Sequence, residues 1–582
     1  MAMNLTRRGF LGGGAALFVG GCRTAEWFGR PDLAFGVVSD IHVTTPRSTA
    51  MFRKALRYFR RRGADAVVVP GDLTDWGLRS SLGYVADAWR DTFAGTGVVP
   101  LFCTGNHDWD GWRYSDMTVE MHANGYSEDE HLTVFGMEKC WREAFGEDFA
   151  PVRLRTVKGY DFVSAEWRGF SGFPEWMEKN GAALRGDRPF FYFQHPPAKG
   201  TTSDSGGWAD KGAAFSALRN YPNAIAITGH THRPFNDERS IWQGEFTAIA
   251  TPSLSYASFP GGYENGRGKR DGTSKQAMPV IPARRDCRGG QGYFVSVYAD
   301  RMVVERIDVE EDCTEGAPAW IVPLGTADRP MDLARRTAAS RAPQFPPGAK
   351  VEAYTRNTEN RSGKWIIALN CEFPSAEPER GGRVWDYEVK AVFADGREPL
   401  CRKFLTPSYA RTARHEPARQ RFWFDVADLP EAVDFRLEVR ASNCFGKRSD
   451  PIFSETLRTA PGYGRAKRVC VVIDFATDAE RREAMPVLRR FGLDGTLGDG
   501  VEPLPAMHPV SIGPDMTRKA FAAKLDELVN GDMISAELHF RGVPPGLLSE
   551  MMDELDARRC CDWVDVATHG AYRQWFGGKG GR

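Results

Sequence analysis

Continuous apolar runs of strand length recur through the first half of the chain, separated by segments with helical periodicity. Apolar residues from Phe52 to Phe59 fall at helical spacing, with arginines on the opposite face. Runs without alternation are typical of strands that are buried on both faces of a sheet. The pattern predicts an α/β domain over residues 31–325. Its predicted strands are Leu33–Val38, Ala66–Val69, Val98–Cys103, Phe190–Phe193 and Ala224–Ile227.

The pattern changes after residue 325. Residues 326–349 contain several proline dipeptides without apolar periodicity and are predicted to form a linker. Over residues 350–460 apolar side chains take every second place, which predicts strands that are covered on one face. Because no helical segment interrupts them, we expect an all-β sandwich. Residues 465–582 return to α/β character, with a strand at Val469–Ile473 and helices at 478–491 and 517–529.

Composition narrows the class of protein. The chain has 582 residues, of which 42% are hydrophobic and 26% charged, so it is globular and long enough for several domains. Lys plus Arg number 76 and Asp plus Glu number 76, so the formal net charge is zero. A chain without net positive charge has no global field that attracts nucleic acid, so we expect no nucleic-acid partner other than a nucleotide bound as substrate. No stretch approaches the ~20 consecutive apolar residues of a membrane-spanning helix, which excludes a polytopic transporter.

The first 30 residues predict an export signal. Arg7 and Arg8 precede a short apolar stretch, and the string from Thr6 to Leu11 resembles a twin-arginine signal. Val19–Cys22 resembles a lipoprotein cleavage site, where Cys22 would carry the lipid anchor. We therefore expect a protein of the periplasm or cell surface, with a basic terminus that carries no signal as the alternative.

Cysteine usage removes some classes of site. The chain has 11 cysteines but no Cys-x-x-Cys or Cys/His zinc spacing, which excludes zinc ribbons and thioredoxin-like redox sites. Without Cys22 the number is even, which is compatible with disulfides in an oxidising compartment. Buried free thiols explain the same number.

Five short polar strings follow the predicted strands in order. Loops that leave the carboxyl ends of strands in an α/β sheet meet in one crevice, so we expect the strings to converge. Imidazole, carboxylate and amide oxygen without thiolate suit divalent ions such as Mn²⁺, Fe²⁺ or Zn²⁺. A single histidine after a strand is more often structural, but five strings in succession predict a metal centre. The strings are Asp40–His42, Gly71–Asp75, Gly105–Asp108, Gln194–Pro196 and Gly229–His232.

In order and composition these strings resemble the motifs of the calcineurin-like metallophosphoesterase superfamily, over residues 33–232. The resemblance implies a layered β-sheet sandwich flanked by helices and a centre of two divalent transition-metal ions. A carboxylate between the two ions would offset their mutual repulsion. The implied ligands are Asp40, His42 and His232 for one metal, Asn106, His195 and His230 for the other, and Asp72 between them.

The resemblance also implies a reaction, the hydrolysis of a phosphate ester with a phosphodiester favoured. A hydroxide held between the metals would attack phosphorus, His107 would protonate the leaving oxygen and Asp108 would orient the imidazole. A phosphomonoesterase or pyrophosphatase acting on nucleotides or nucleotide sugars remains open. A catalytically inactive surface protein that binds carbohydrate is the alternative from another class.

Two features bear on the branch and the substrate. Purple acid phosphatases, a branch of the superfamily, have tyrosine at the position of Asp75, so this chain departs from that branch. About 85 residues separate Asp108 from His195, and long segments near a site often carry function. The aromatic residues of Trp109–Tyr114 would stack a base or sugar, or pack a small core of their own.

The later domains carry weaker resemblances. Phe424–Pro430 and Phe435–Gly446 resemble the end of a fibronectin type III domain. Asp474, Met485–Gly492 and Trp563–Gly570 faintly resemble pieces of polysaccharide deacetylases, but the His-x-x-x-His metal pair of that family has no match. An α/β domain unrelated to that family is the alternative for the last segment.

Overall fold

The structure is a computed structural model, and the chain forms two compact units. The first contains the described residues up to 235 together with 239–256 and 289–333, and the second contains 236–238, 257–288 and 334 onward. The described residues are 29–109, 136–202, 207–258, 260, 262–264, 289–359, 365–379, 382–406, 409, 416–459, 469–493, 508–530, 535–560 and 564–566.

One six-stranded sheet of the first unit contains three of the predicted strands. Numbered along the chain, its strands are β1 (Leu33–Val37), β2 (Ala66–Pro70), β3 (Val99–Cys103), β10 (Gln291–Val297), β11 (Arg301–Asp308) and β12 (Thr314–Pro323). The strand order is β12-β11-β10-β1-β2-β3. Strands β1, β2 and β3 are parallel, and β10 to β12 extend the sheet in antiparallel fashion from β1.

A second six-stranded sheet of the first unit contains the remaining two predicted strands, Phe190–Phe193 and Ala224–Ile227. Its strands are β4 (Val152–Val157), β5 (Tyr160–Ala165), β6 (Phe190–Phe193), β7 (Ala224–Thr228), β8 (Ile241–Gln243) and β9 (Thr247–Ala250). The order is β4-β5-β6-β7-β9-β8, with parallel pairing from β5 to β9 and antiparallel strands at both edges.

The two sheets pack face to face and helices cover their outer faces. Phe35 of β1 contacts Phe162 and Phe191 of the other sheet, with ring centroids 5.4 and 5.0 Å apart. Side chains on the opposite face of the first sheet, such as Val67 and Val69, share a core with the helices. This double burial explains the continuous apolar runs. The helices are α1 (Ala50–Arg61), α2 (Arg79–Phe93) and α3 (Met137–Phe145) on the first sheet, and α4 (Phe173–Asn180) and α5 (Ala213–Leu218) on the second.

The segment predicted as a linker contains a short helix, α6 (Leu333–Ala339). The segment predicted as an all-β sandwich then forms two antiparallel sheets, β13-β14-β17 and β16-β15-β18-β19, with β20 paired to β18. The strands are β13 (Glu352–Glu359), β14 (Trp365–Pro374), β15 (Asp386–Phe393), β16 (Leu400–Leu405), β17 (Arg419–Asp425), β18 (Asp434–Ser442), β19 (Ile452–Phe453) and β20 (Leu457–Arg458).

The last segment forms a parallel four-stranded sheet in the order β22-β23-β21-β24. It shares an apolar core with the β-sandwich inside the second unit. The fibronectin and deacetylase resemblances remain predictions. The elements are β21 (Val469–Phe475), α7 (Asp478–Arg490), β22 (His508–Ile512), α8 (Arg518–Asn530), β23 (Ser535–Phe540), α9 (Pro545–Cys560) and β24 (Val564–Val566).

Several predictions concern residues outside the described ranges. The signal segment with Arg7, Arg8 and Cys22 lies there, as do the aromatic residues Trp112 and Tyr114. Within the part of the chain that the structure describes, no helix is both long and apolar enough to cross a membrane. Six cysteines in that part form no disulfide bond: Cys103, Cys140, Cys313, Cys371, Cys401 and Cys444.

Candidate metal centre

The implied metal ligands follow strands of both sheets of the first unit. Strands β1, β2 and β3 lead into the loops with Asp40, Asp72 and Asn106, and β6 and β7 lead into those with His195 and His230. The carboxyl ends of parallel strands in both sheets therefore supply donors to one site, as expected for α/β folds.

A first group of donors consists of Asp40, His42, Asp72 and His232, all buried, with one donor atom from each within 4.8 Å of the others. Nε2 of His232 lies 2.9 Å from Oδ1 of Asp40. Nε2 of His42 lies 3.4 Å from Nε2 of His232 and 3.6 Å from Oδ2 of Asp72. Two carboxylates and two imidazoles are a suitable donor set for a divalent transition metal.

A second group of donors consists of Asp72, His195 and His230. Nε2 of His195 lies 3.1 Å from Oδ2 of Asp72 and 3.1 Å from Nδ1 of His230. Because Asp72 belongs to both groups, it occupies the position implied for the bridging carboxylate.

Asn106 supplies an independent test of whether these residues fit a metal. Its Oδ1 is buried and has no hydrogen-bond partner among the described residues. The next residue, His107, donates its backbone N–H to Oδ1 of Asp72 at 3.0 Å, which places Asn106 beside the shared carboxylate. Buried polar atoms nearly always have a partner, so an unpartnered amide oxygen here fits a cation ligand.

Hydrogen bonds on the far side of three imidazoles orient them toward the centre. Nδ1 of His42 lies 2.7 Å from Oδ1 of Asp75, Nδ1 of His195 lies 2.9 Å from the backbone oxygen of Pro70, and Nδ1 of His232 lies 2.9 Å from that of Tyr256. An oxygen acceptor at Nδ1 places the proton there. In the neutral form of each ring, Nε2 then carries the lone pair and faces the donor group, which is the arrangement of metal-ligating histidines.

The backbone of the site is strained. Five of the implied ligands have positive φ angles: Asp40, His42, Asp72, His230 and His232, with values from 50° to 73°. Residues other than glycine rarely adopt this left-handed region, and they do so mainly where surrounding structure holds them for function. The sequence contains no signal of this strain.

Two glycines make room for the donors. Gly71 has a φ of 93°, and a β-carbon there would lie 2.4 Å from Nδ1 of His195. A β-carbon at Gly105 would lie 2.1 Å from Oδ1 of Asp72. Any larger residue at either position would displace a donor.

The close packing of acids and imidazoles shifts their pKa values. Burial alone would raise the pKa of Asp40, but His232 and His195 outweigh it and hold that pKa below its usual range. Burial disfavours the charged form of His195, but Asp72 and Asp40 outweigh burial and raise its pKa to about 9. Burial and the neighbouring His195 lower the pKa of His230 to about 3.

The implied proton donor, His107, lies beside the first donor group. Its ring centroid is 4.8 Å from that of His42, and its Nδ1 lies 3.0 Å from the backbone oxygen of Asp75. One third of its side chain is exposed, so a substrate can reach it. With Nδ1 bound to a carbonyl oxygen, Nε2 is the ring nitrogen available for proton transfer.

The structure gives the Asp108 carboxylate partners other than the His107 imidazole, and the orienting role expected for it stays a prediction. Its carboxylate accepts hydrogen bonds from the backbone N–H groups of Leu73, Thr74 and Gly105 at 2.8–3.1 Å and from the Thr74 hydroxyl at 2.9 Å. It therefore ties the loop after β2 to the loop after β3, and among the described residues no hydrogen bond joins it to the His107 imidazole. Burial and the neighbouring Asp72 raise the pKa of Asp108 to about 7. A 3₁₀ turn over His107–Trp109 directs the two adjacent side chains differently.

The sequence interpretation missed several aromatic residues around the centre. The ring of Tyr256 lies 4.2 Å from that of His232, and the rings of Trp167 and Trp208 lie 5.7 and 5.3 Å from that of His230. All three lie in irregular segments with no periodicity, so no pattern in the sequence marks them.

Comparisons with known proteins give one family. Residues 33–234 match the model of the family described as calcineurin-like phosphoesterase. A search of curated proteins finds no match.

Solved structures show weak similarity. The anchor protein GAP50 of the Plasmodium inner membrane complex is 9% identical with a TM-score of 0.29, over 51% of this chain and 90% of that one. A predicted phosphoesterase from Streptococcus pneumoniae TIGR4 is 12% identical with a TM-score of 0.22, over 50% and 97%. A purple acid phosphatase from yellow lupin (Lupinus luteus) seeds is 11% identical with a TM-score of 0.29, over 50% and 53%. The family model alone carries the conclusion that residues 33–234, which contain both donor groups, are similar to calcineurin-like phosphoesterases.

Proposed function

We propose that this protein is an exported metal-dependent phosphoesterase that hydrolyses a phosphodiester, with its activity in residues 31–325. The observation that carries the proposal is the pair of donor groups that share Asp72, beside a buried amide oxygen of Asn106 that has no hydrogen-bond partner. Two bound divalent cations, of Mn, Fe or Zn, would polarise the phosphoryl group and provide a nucleophile from water at neutral pH.

The protein's own residues supply orientation and a proton. Asp72 lies in both donor groups, so its negative charge would offset the repulsion between two bound cations. In hydrolysis, water adds to phosphorus while the P–O bond to the leaving alcohol breaks. His107, carrying a proton on Nε2, gives it to the departing oxygen and so neutralises the negative charge that develops there. The proton that the attacking water loses passes to solvent, and solvent reprotonates His107 before the next turnover.

A substrate screen tests the proposal. Chelated protein would be reloaded with Mn²⁺, Fe²⁺ or Zn²⁺ and assayed on a diester, a monoester, a pyrophosphate and a nucleotide sugar. We expect fastest turnover of the diester, and loss of turnover in Asp72→Asn. If the monoester or the pyrophosphate is hydrolysed fastest, the protein is a phosphomonoesterase or a pyrophosphatase and the diesterase proposal is wrong. No turnover of any ester would favour the inactive carbohydrate-binding protein.

Export is supported by the sequence of residues 1–30 alone. If the twin-arginine route carries the protein, replacing Arg7 and Arg8 together with lysine will leave the precursor in the cytoplasm. If Cys22 carries a lipid anchor, Cys22→Ala will move the protein from the membrane fraction to the soluble fraction. Export of the double lysine variant would contradict the twin-arginine route. Membrane association of Cys22→Ala would contradict the lipid anchor.

A further inference from the structure

An exposed tryptophan lies beside the second donor group. The side chain of Trp208 is 52% exposed, although large aromatic side chains usually contribute most of their area to a core. Its ring meets the His230 ring at 68°, with centroids 5.3 Å apart, so the two rings are not stacked. Trp167 lies 5.7 Å from the same imidazole and 6.0 Å from that of His195.

The loop that carries Trp208 is anchored to the site. Asp210, two residues later, is 2% exposed, and its carboxylate accepts hydrogen bonds from the backbone N–H groups of Gly212 and Ala214 at 2.8 and 2.7 Å. The same carboxylate accepts a hydrogen bond from Nε2 of Gln194 at 3.2 Å, and Gln194 directly precedes the donor His195. The loop that carries Trp208 is therefore tied, two residues further on, to the residue that precedes the donor His195.

The implied proton donor lies beside the other donor group. His107 contacts His42 of the first group, whereas Trp208 contacts His230 of the second, and Asp72 belongs to both. The shared carboxylate therefore belongs both to a group that contacts the proton donor and to a group that contacts the tryptophan. If a phosphodiester bound near Asp72 with its leaving alcohol at His107, the ester group that stays on phosphorus would be the one within reach of Trp208.

We propose that Trp208, with Trp167 beside the same imidazole, forms a stacking subsite for a planar ring on the retained ester group, as in a nucleoside 5′-phosphodiester. This inference rests on the proposed phosphodiesterase function. An aromatic side chain stacks on any base because every base has a π face. The net charge of zero favours a small ester over a nucleic-acid polymer.

Three diesters with the same leaving group test the subsite: the 4-nitrophenyl phosphates of thymidine (5′-linked), of phenol and of methanol. We expect kcat/KM for the thymidine ester to exceed that for the methyl ester by about tenfold or more, mainly through KM. If the phenyl ester is hydrolysed as well as the thymidine ester, the subsite accepts any aromatic ring. If it is hydrolysed only as well as the methyl ester, the subsite requires a nucleobase. Trp208→Ala should lower kcat/KM for the thymidine ester far more than for the methyl ester, and Trp208→Phe should restore much of the preference.

Controls separate failure of the subsite from failure of the proposed function. Ile321→Ala is the control, because it truncates a side chain that is 43% exposed on β12 of the first sheet. It should not change kcat/KM for any of the three esters. Equal rates for the thymidine and methyl esters in the parent, or an equal loss on both in Trp208→Ala, would overturn the subsite. If the parent hydrolyses none of them, the proposed function fails. The subsite is then judged by calorimetric binding of thymidine 5′-phosphate against methyl phosphate, and equal affinities would overturn it.

Discussion

Asp75 holds His42 by a carboxylate–imidazole contact of 2.7 Å between Oδ1 and Nδ1. The backbone oxygen of the same residue lies 3.0 Å from Nδ1 of His107. Asp75 therefore fixes both an implied metal ligand and the implied proton donor, although it is not itself in the first donor group. In the sequence it stood out only as a departure from the tyrosine of purple acid phosphatases.

Replacing Asp75 should weaken the metal site without removing a ligand. We expect Asp75→Ala to lower metal affinity by about 10–100-fold, because the His42 ring loses the acceptor that orients it. Titration of chelated protein against a competing metal indicator measures this. Asp91→Ala, which removes an exposed partner of Arg53, is the matched control. Unchanged affinity in Asp75→Ala would mean that the rest of the site orients His42.

Asn106 gives a test that separates a ligand from a structural amide. By elemental analysis, parent protein should contain close to two transition-metal ions per chain. In Asn106→Ala the metal content should fall toward one ion per chain. Because Oδ1 of Asn106 has no partner, the metal-free variant should melt within ~1–2 °C of the metal-free parent. A clear fall in the melting temperature of the metal-free variant would show that Asn106 has a structural role instead.

His107 should act on the reaction and not on the metals. His107→Gln keeps the backbone N–H that binds Asp72, so metal content should stay at the parent level. We expect kcat to fall by roughly 10²–10⁴, the usual contribution of a positioned general acid. The loss should be smaller for a 4-nitrophenyl ester than for an alkyl ester, since nitrophenolate needs little protonation. Equal losses for both would indicate that His107 stabilises phosphoryl charge.

Asp108 should matter mainly for stability. Asp108→Asn replaces one acceptor oxygen by an NH₂ group that faces backbone donors, which we expect to cost about 1–3 kcal/mol of unfolding free energy. Denaturant unfolding of the metal-free protein at about pH 9, above the raised pKa of Asp108, measures this cost, with the partly exposed Asp161→Asn as control. If kcat fell while stability did not, Asp108 would act on catalysis after all.

Glu388 links the stability of the second unit to pH. Burial would raise the pKa of this carboxyl, but Lys390, Lys403 and Arg448 outweigh it and lower the pKa to about 2. Since the folded pKa lies below the ordinary value of 4.5, the ionised group stabilises the fold above pH 4.5. That contribution is lost as the pH falls toward 2. Glu388→Gln should unfold more easily at pH 7, by roughly 1–3 kcal/mol, and the gap should shrink between pH 4.5 and 2. A gap independent of pH would contradict this.

The sequence predicted the parts of the fold that depend on local periodicity. The run Ala66–Val69 corresponds to β2 because both faces of that strand are buried, and burial on both faces leaves a continuous apolar pattern. The helix α6 was missed, since Leu333–Ala339 buries no side chain and so carries no apolar stripe.

For the site, adjacency in sequence was a poor guide. His107 and Asp108 are neighbours, but the carboxylate binds backbone groups of the loop after β2 while the imidazole contacts Asp75. Which groups meet across loops that are distant in sequence depends on tertiary packing, which no local pattern records. Trp208 illustrates the same limit, because its neighbour His230 comes from another strand end.

The left-handed backbone at five of the implied metal ligands makes glycine the least strained residue at those positions. At a φ of 50–73° every residue with a β-carbon is disfavoured relative to glycine, by roughly 1–2 kcal/mol. Replacement of Asp40, His42, Asp72, His230 or His232 by glycine would relieve that local strain while deleting a donor. In a lineage freed from the need for cations, these positions would therefore drift toward glycine early. The presence of aspartate and histidine at all five is the reverse of what selection for stability alone would leave.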